Sequence, residues 1–174
     1  RLHKEPACLA ASCPSSQIKW LAGGVALAFL GAYIAWIWMP VCLTTIGIHK
    51  SQHATASGRH DAAHAALAWA TRADPLSPAA AGFNGRLYMQ QYDQSPRKPV
   101  ALLDEAQRCF REAIARAPAA YKDYEKLGIA SSQSGKYQEA YEWYLKAVTL
   151  YPGCDRLWLE LGRLAERLDR PDAA

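Results

Sequence analysis

The 174-residue sequence carries none of the short motifs that mark common catalytic sites. It has no glycine-rich loop to cradle a phosphate, no Gly-x-Ser-x-Gly elbow, no His-Glu-x-x-His pair and no Cys/His nucleophile arrangement. Its cysteines (Cys8, Cys13, Cys42, Cys109 and Cys154) form no CxxC pair and no zinc-like spacing. Buried or idle thiols are therefore expected, and the redox compartment stays open. A large excess of one charge is also missing. The net charge of +4 argues against a dedicated nucleic-acid binder, which would gather basic residues on one face. Glu105, Glu112, Glu139 and Glu142 alternate with Lys and Arg, a pattern of solvated helix pairing rather than acid–base work. Nothing in the sequence calls for a cofactor.

Charge is absent altogether from residues 21–39, within IKWLAGGVALAFLGAYIAWIWMP. About 20 apolar residues suffice to cross a bilayer as a helix. Trp20 at one end and Trp36 and Trp38 at the other stand where interfacial aromatic belts form. A signal peptide would have a shorter apolar core and a small-residue cleavage site rather than Trp-Met-Pro. A transmembrane helix over 18–39 is expected, after a polar flank over 1–17. Arg1, Lys4 and Lys19 precede it, and Lys50 and Arg59 follow. This slight basic excess places the N-terminal side in the cytoplasm and the remainder outside. Residues 41–48 remain apolar, so a helix is expected to run on from the span into the soluble part.

The rest is organised around YKDYEKLGIASSQSGKYQEAYEWYLKAVTLYP, residues 121–152. Tyr124, Leu127, Gly128 and Ser131 recur at three- and four-residue steps, as do Tyr137, Ala140, Tyr144, Ala147 and Val148, which predicts two helices with one packing face each. Gly128 and Ala140 permit close approach. Gly135 supplies the turn, where a positive φ is costly for other residues, and Pro152 stops the second helix. The pattern resembles the tetratricopeptide repeat (TPR), a helix–turn–helix unit of about 34 residues.

Gly58, Ala63, Leu67, Ala70 and Pro75 repeat the spacings of Gly135, Ala140, Tyr144, Ala147 and Pro152. This gives a degenerate TPR-like hairpin over 41–78. Its first helix fits poorly, with Gly47 and Lys50 where a large apolar residue and Leu are expected. Ser77 is the expected N-cap of the next helix, with Pro78 as its first residue. Ala106, Phe110, Ala113 and Pro118 mark a second TPR over 79–120, with SPRKP (95–99) as a loop inserted between its helices. A third TPR covers 121–154. A fourth, truncated, covers 155–174: Trp158, Leu161, Gly162 and Ala165 are its packing positions, and Asp169 with Pro171 starts its second helix. The sequence is expected to be a fragment at both ends.

His49, His53, His60 and His64 flank the turn at Ser57-Gly58, each pair at i,i+4 spacing. In an antiparallel hairpin the pairs would face one another and would suit zinc or copper. Only Asp61 offers a nearby carboxylate, and alanine-rich surface helices collect histidines harmlessly, so a solvated hairpin face is preferred and no metal is assigned. Tyr124, Tyr137, Tyr144 and Trp158 are assigned to repeat packing. Tyr121, Tyr141 and Trp143 lie among acidic residues, wrong for phosphates.

The resemblance to TPR proteins implies a non-catalytic array that binds a protein or peptide in a groove lined by its first helices. By that resemblance the groove positions are Lys122, Glu125, Ile129, Ser132 and Gln133 in the third repeat. In the fourth they are Arg156, Leu159, Arg163, Glu166 and Arg167. TPRs that grip the C-terminal carboxylate of heat-shock chaperones use Lys and Asn where this chain has Glu125 and Ile129, so such a clamp is not expected. The mixed pattern, more basic toward the fourth repeat, suggests an acidic or mixed ligand.

The expected fold class is all-α: one transmembrane helix followed by an α-solenoid of TPR helical hairpins. A final membrane helix with a Trp-Met-Pro-Val exit, then an ADPLSP hairpin and TPRs, also resembles the C-terminal tail of bacterial polytopic O-antigen ligase or polymerase family proteins. That resemblance implies a cell-envelope setting in the bacterial inner membrane. The active site would then lie in membrane segments outside this sequence, through which a lipid-linked glycan would be met. The alternative is a single-span TPR scaffold that recruits partners to a membrane complex.

Overall fold

The computed structural model describes residues 16–169, with side chains over 24–168. Seven helices and no strand occur among the described residues: α1 (Ser16–Ala56), α2 (His60–Ala73), α3 (Ala79–Gln94), α4 (Val100–Arg116), α5 (Tyr121–Gln133), α6 (Tyr137–Leu150) and α7 (Asp155–Asp169). Cys8, Cys13 and the helix expected to follow Asp169 lie outside the described residues. The chain divides into two compact units, one ending at Met39 and the other beginning at Pro40.

In the first unit, α1 is apolar on every side. From Gly24 it is long and apolar enough to cross a membrane, and its most apolar window has a mean hydropathy of 1.9 with none of it buried. Leu27, Phe29, Trp36 and Trp38 are all exposed. A helix that is hydrophobic all round needs an apolar surrounding. The helix runs on past Pro40, which lies inside α1.

The second unit is a run of antiparallel helical hairpins. The C-terminal part of α1 pairs with α2, α3 with α4 and α5 with α6, and α7 packs on α6. Tight turns join the two helices within two of these hairpins, with Gly58 at φ 71° between α1 and α2 and Gly135 at φ 78° between α5 and α6, values that favour glycine. The hairpin-to-hairpin junction at residues 74–78 is fixed by side chains. Asp74 Oδ1 accepts from the N–H groups of Leu76 and Ser77 at 3.2 Å. Ser77 Oγ accepts from Ala79 N–H at 3.3 Å from one residue further out than expected, since Pro78 holds the cap position and α3 starts at Ala79. Arg116, at the end of α4, donates to the carbonyls of Thr71, Asp74 and Ser77 and to Glu112, tying this junction to the neighbouring hairpin. The expected insertion is an exposed loop between α3 and α4.

Small residues set how closely the helices approach. A Cβ at Gly128 would fall 2.8 Å from the Tyr144 ring, and one at Gly85 would fall 2.7 Å from the Phe110 ring. The second repeat therefore has the same glycine-under-aromatic contact as the third. In the first repeat the matching positions hold buried Ser51 and Leu67, so a larger residue below goes with a smaller one above. Gly47, which fits the repeat poorly in sequence, is the close-approach residue of the first hairpin: a Cβ there would meet Ala70 Cβ at 2.5 Å. Lys50 stays exposed, its ammonium 5.7 Å from the Trp69 ring centroid.

The expected packing of Trp158 is not found. Leu157, Leu161 and Leu164 are the buried residues of α7. Trp158 is 52% exposed, and its Nε1 donates to the Pro152 carbonyl. The face of α7 that bears Trp158 meets no second helix among the described residues.

Candidate functional site

The first helices of successive hairpins (α1 from Pro40, then α3, α5 and α7) form one side of the second unit, and side chains at matching turns of those helices line it. It includes a cavity of about 440 Å³ lined by Ser51, Gln52, Thr55, Ala56, Leu67, Phe83, Arg86, Leu87 and Gln90. Leu67, Phe83 and Leu87 make an apolar floor. Gln52 and Gln90 bring amide donors and acceptors to the rim, and Arg86 lies with its guanidinium 4.3 Å from the Phe83 ring centroid. No carboxylate lines the cavity. The arrangement suits an apolar side chain on an extended backbone, with a negative group within reach of Arg86. Sequence reasoning missed this site because it placed the groove on the third and fourth repeats, whereas the cavity lies between the first hairpin, whose first helix fits poorly, and the second, which carries the insertion. A usable signal was present: Arg86 and Gln90 are polar residues one turn apart on α3, and Gln52 is a polar residue on α1.

Farther along the same side lies Asp123, whose carboxyl is held above the usual carboxylate range by burial, partly offset by the Arg86 cation. Beside it, Glu125 is only 5% exposed and accepts a hydrogen bond from Arg156 Nη2 of the next hairpin. Glu125 was expected to face an incoming ligand; it is spent on its neighbour. Ile129 is half-buried and packs against two core clusters, so it serves the core as well as the groove. Lys122 and Gln133 are exposed, and Ser132 is half-buried. Of the fourth-repeat positions, Leu159 and Glu166 are exposed, and Arg163 donates to Glu160 Oε1 at 2.7 Å. Arg167 does not join them: its guanidinium lies 5.1 Å from the ring centroid of Tyr137, at the start of α6.

The four histidines are not brought together. His49 and His53 are exposed, and His60 is half-buried. His64 turns to α3, against the expectation of a solvated hairpin face. Its Nδ1 lies 2.6 Å from Asn84 Oδ1, and its Nε2 lies 2.9 Å from Gln91 Nε2. As oriented, the ring donates through Nδ1 and accepts through Nε2, so neither nitrogen is left for a metal. The ring also stacks on Tyr88 at 3.9 Å. Among the described residues no group of three metal-ligating side chains converges. Cys109 is buried, and burial pushes its thiol up to about 11. Cys42 is an exposed free thiol, and Cys154 is a half-buried one.

The acidic residues lie largely as their spacing suggests. Glu105 pairs with Arg108 and Glu112 with Arg116 along α4. Glu139 departs from this: it pairs with Arg111 across from α4 to α6 and also accepts from Trp143 Nε1.

A family model described as tetratricopeptide repeat matches residues 50–94 and 102–155, together more than half of the chain. No curated protein matches it. Among solved structures, the first TPR of Spaghetti (RPAP3) bound to an HSP90 peptide is 21% identical, with a TM-score of 0.59, covering 72% of this chain and 95% of that one. The second TPR domain of human RPAP3 in complex with an HSP70 peptide is 18% identical at a TM-score of 0.60, covering 72% and 98%. The Sgt2 TPR domain from Aspergillus fumigatus is 16% identical at 0.60, covering 75% and 82%. At these identities the likeness is one of fold.

Proposed function

The chain belongs to the tetratricopeptide repeat family, and from that premise we propose that it is a membrane-tethered interaction module holding a peptide segment of a partner protein against α1 and α3. The observation that carries this reading is the cavity of about 440 Å³ between those helices, apolar at its floor and bordered by Gln52, Arg86 and Gln90 without a carboxylate. TPR domains of similar fold are bound to an HSP90 peptide, SRMEEVD, and to an HSP70 peptide, SGPTIEEVD, both of which carry several carboxylates. The chaperone-tail clamp itself is not the mode proposed, because Glu125 is buried and paired and Ile129 is apolar.

The tether is the apolar part of α1, which exposes its whole circumference. We place it in a bacterial inner membrane with the repeats outside the cytoplasm. There the module would serve as the non-catalytic tail of an O-antigen ligase-like envelope protein, whose membrane domain would meet the lipid-linked glycan. The basis for this setting is the sequence resemblance of residues 18–174.

Peptide display on the detergent-solubilised chain tests the binding reading. Enriched sequences should carry an apolar residue beside an acidic one and should lose binding to Arg86→Glu. Enrichment that ignores Arg86 would overturn it. Thiol labelling of intact cells with an impermeant reagent tests the setting. Ser95→Cys in an otherwise cysteine-free chain should label, whereas Cys8 or Cys13 retained alone should not; the opposite pattern places the repeats in the cytoplasm.

A further inference from the structure

The turns within the hairpins of the second unit and the junctions between them lie at opposite ends, because the paired helices run antiparallel. The turns carry Arg59, Arg97, Lys98 and Lys136. The junctions at 74–78, 117–120 and 151–154 carry no charge except that of Asp74, which is buried. α1 enters the unit at Pro40 and runs toward the Gly58 turn, so the uncharged end is the one where the chain enters. Leu76, at the tip of the first junction, is 86% exposed there. Its height along the first hairpin follows from the close approach of Gly47 to Ala70. Six residues back from Gly47 is Val41, and six on from Ala70 is Leu76. Val41, itself exposed, stands two residues beyond Met39, the last residue of the apolar segment 21–39.

The backbone donors of this junction are already used. Pro75 and Pro78 have no N–H, and the N–H groups of Leu76 and Ser77 both donate to Asp74 Oδ1. The carbonyls of Asp74 and Ser77 accept from Arg116, and that of Pro78 accepts from Gly82 N–H. An apolar tip built this way enters a low-dielectric layer without stranding an N–H group. Arg72, four residues before Leu76, is exposed, whereas Asp61 stands at the far end of α2.

We propose that Leu76 seats in the headgroup layer of the phospholipid bilayer that α1 crosses, with Arg72 reaching an anionic phosphate beside it. The inference rests on the reading of α1 as a tether and adds a second point of contact, which holds the first hairpin against the membrane surface. A bilayer is specified over a protein partner because the register of the hairpin sets the tip level with Val41, at the close of the apolar segment. The exposed charge beside the tip is also positive, as anionic headgroups require. Neither Leu76 nor Arg72 lines the cavity at Arg86, so the peptide site stands apart from this contact.

The test uses the full chain, otherwise cysteine-free, in nanodiscs of zwitterionic or anionic phospholipid. An NBD fluorophore is placed at Leu76→Cys, Ser95→Cys or Leu30→Cys in turn, and circular dichroism verifies the fold of each variant. Quenching is read with a phospholipid carrying a nitroxide near its headgroup and with aqueous iodide. The lipid should quench at positions 30 and 76, and iodide at position 95. Arg72→Gln should lower the lipid-seated fraction at position 76 about five-fold in anionic nanodiscs and leave it nearly unchanged in zwitterionic ones. Lipid quenching at position 30 without any at position 76 overturns the proposal and leaves the tether standing. Absence of lipid quenching at position 30 overturns the tether and the proposal with it. A label at position 76 shielded from both quenchers overturns the proposal in favour of a protein segment over the tip. Quenching there that ignores Arg72→Gln in anionic nanodiscs overturns it in favour of partitioning by the label itself.

Discussion

Arg156 Nη2 donates to the buried carboxylate of Glu125, so the first turn of α7 neutralises a charge that α5 has taken out of water. The pair is lopsided: Glu125 is buried, while Arg156 is 67% exposed at its side chain. Burying a carboxylate is costly unless it is paired. Arg156→Ala should therefore destabilise the repeat unit by about 1–2 kcal/mol, less than for a fully buried pair because solvent screens the arginine. Glu125→Gln in the same background should recover part of the loss. Urea unfolding of the two variants measures both, and equal loss in the double variant would refute the pairing.

Gly85→Ala and Gly128→Ala each push a methyl group into an aromatic ring and should cost about 1–3 kcal/mol. Pairing Gly85→Ser with Phe110→Leu copies the first hairpin and should cost less than the two single changes summed. A double-mutant cycle in thermal unfolding reads this coupling.

Burial holds the Asp123 carboxyl above the usual range against the pull of Arg86. A folded pKa raised in this way means stability fully present below the ordinary carboxylate pKa and lost as pH rises through the folded value. Asp123→Asn should accordingly raise the melting temperature near pH 7 and leave it unchanged near pH 3. An equal shift at both pH values would show that charge is not the cause.

Arg116 donates to the carbonyls of Thr71, at the end of α2, and of Asp74 and Ser77 in the 74–78 junction. Arg116→Met keeps much of its bulk but none of its donors. The expected loss is about 1–3 kcal/mol, with faster proteolysis at residues 74–78 than in the parent chain. Unchanged cleavage there would show that Asp74 and Ser77 hold the junction unaided.

Burial raises the Cys109 thiol to about 11, which keeps it protonated and unreactive. Alkylation with iodoacetamide at pH 8 should modify Cys42 readily and Cys109 only once denaturant is added. Rapid labelling of Cys109 in the folded chain would contradict its burial.

The helices, their turns and most of the core were legible because periodicity of apolar residues and positive-φ glycines are local properties. Gly58, Gly135 and the loop at 95–99 all fall as their residue types suggest. What escaped was relational. Gly47 stands at a position that prefers bulk, and only the approach of Ala70 from the facing helix accounts for it. Gly85 was hidden because the insertion separates it from Phe110. Trp158 looked like a core residue because its type fits, while its burial depends on a second helix. Glu125 and His64 were placed on the correct helices, but which neighbour each would engage depends on how adjoining hairpins are set against one another, and no spacing within a single helix encodes that.

The core is not one mass but three clusters strung along the chain, joining residues 54–87, 89–130 and 140–164 in turn. Each is built from helices adjacent in sequence, so loops close cheaply and structure can spread by nearest-neighbour propagation. Amide hydrogen exchange in the second unit should therefore be graded rather than all-or-none, and slowest in α4 and α5, each of which packs against a helix on either side.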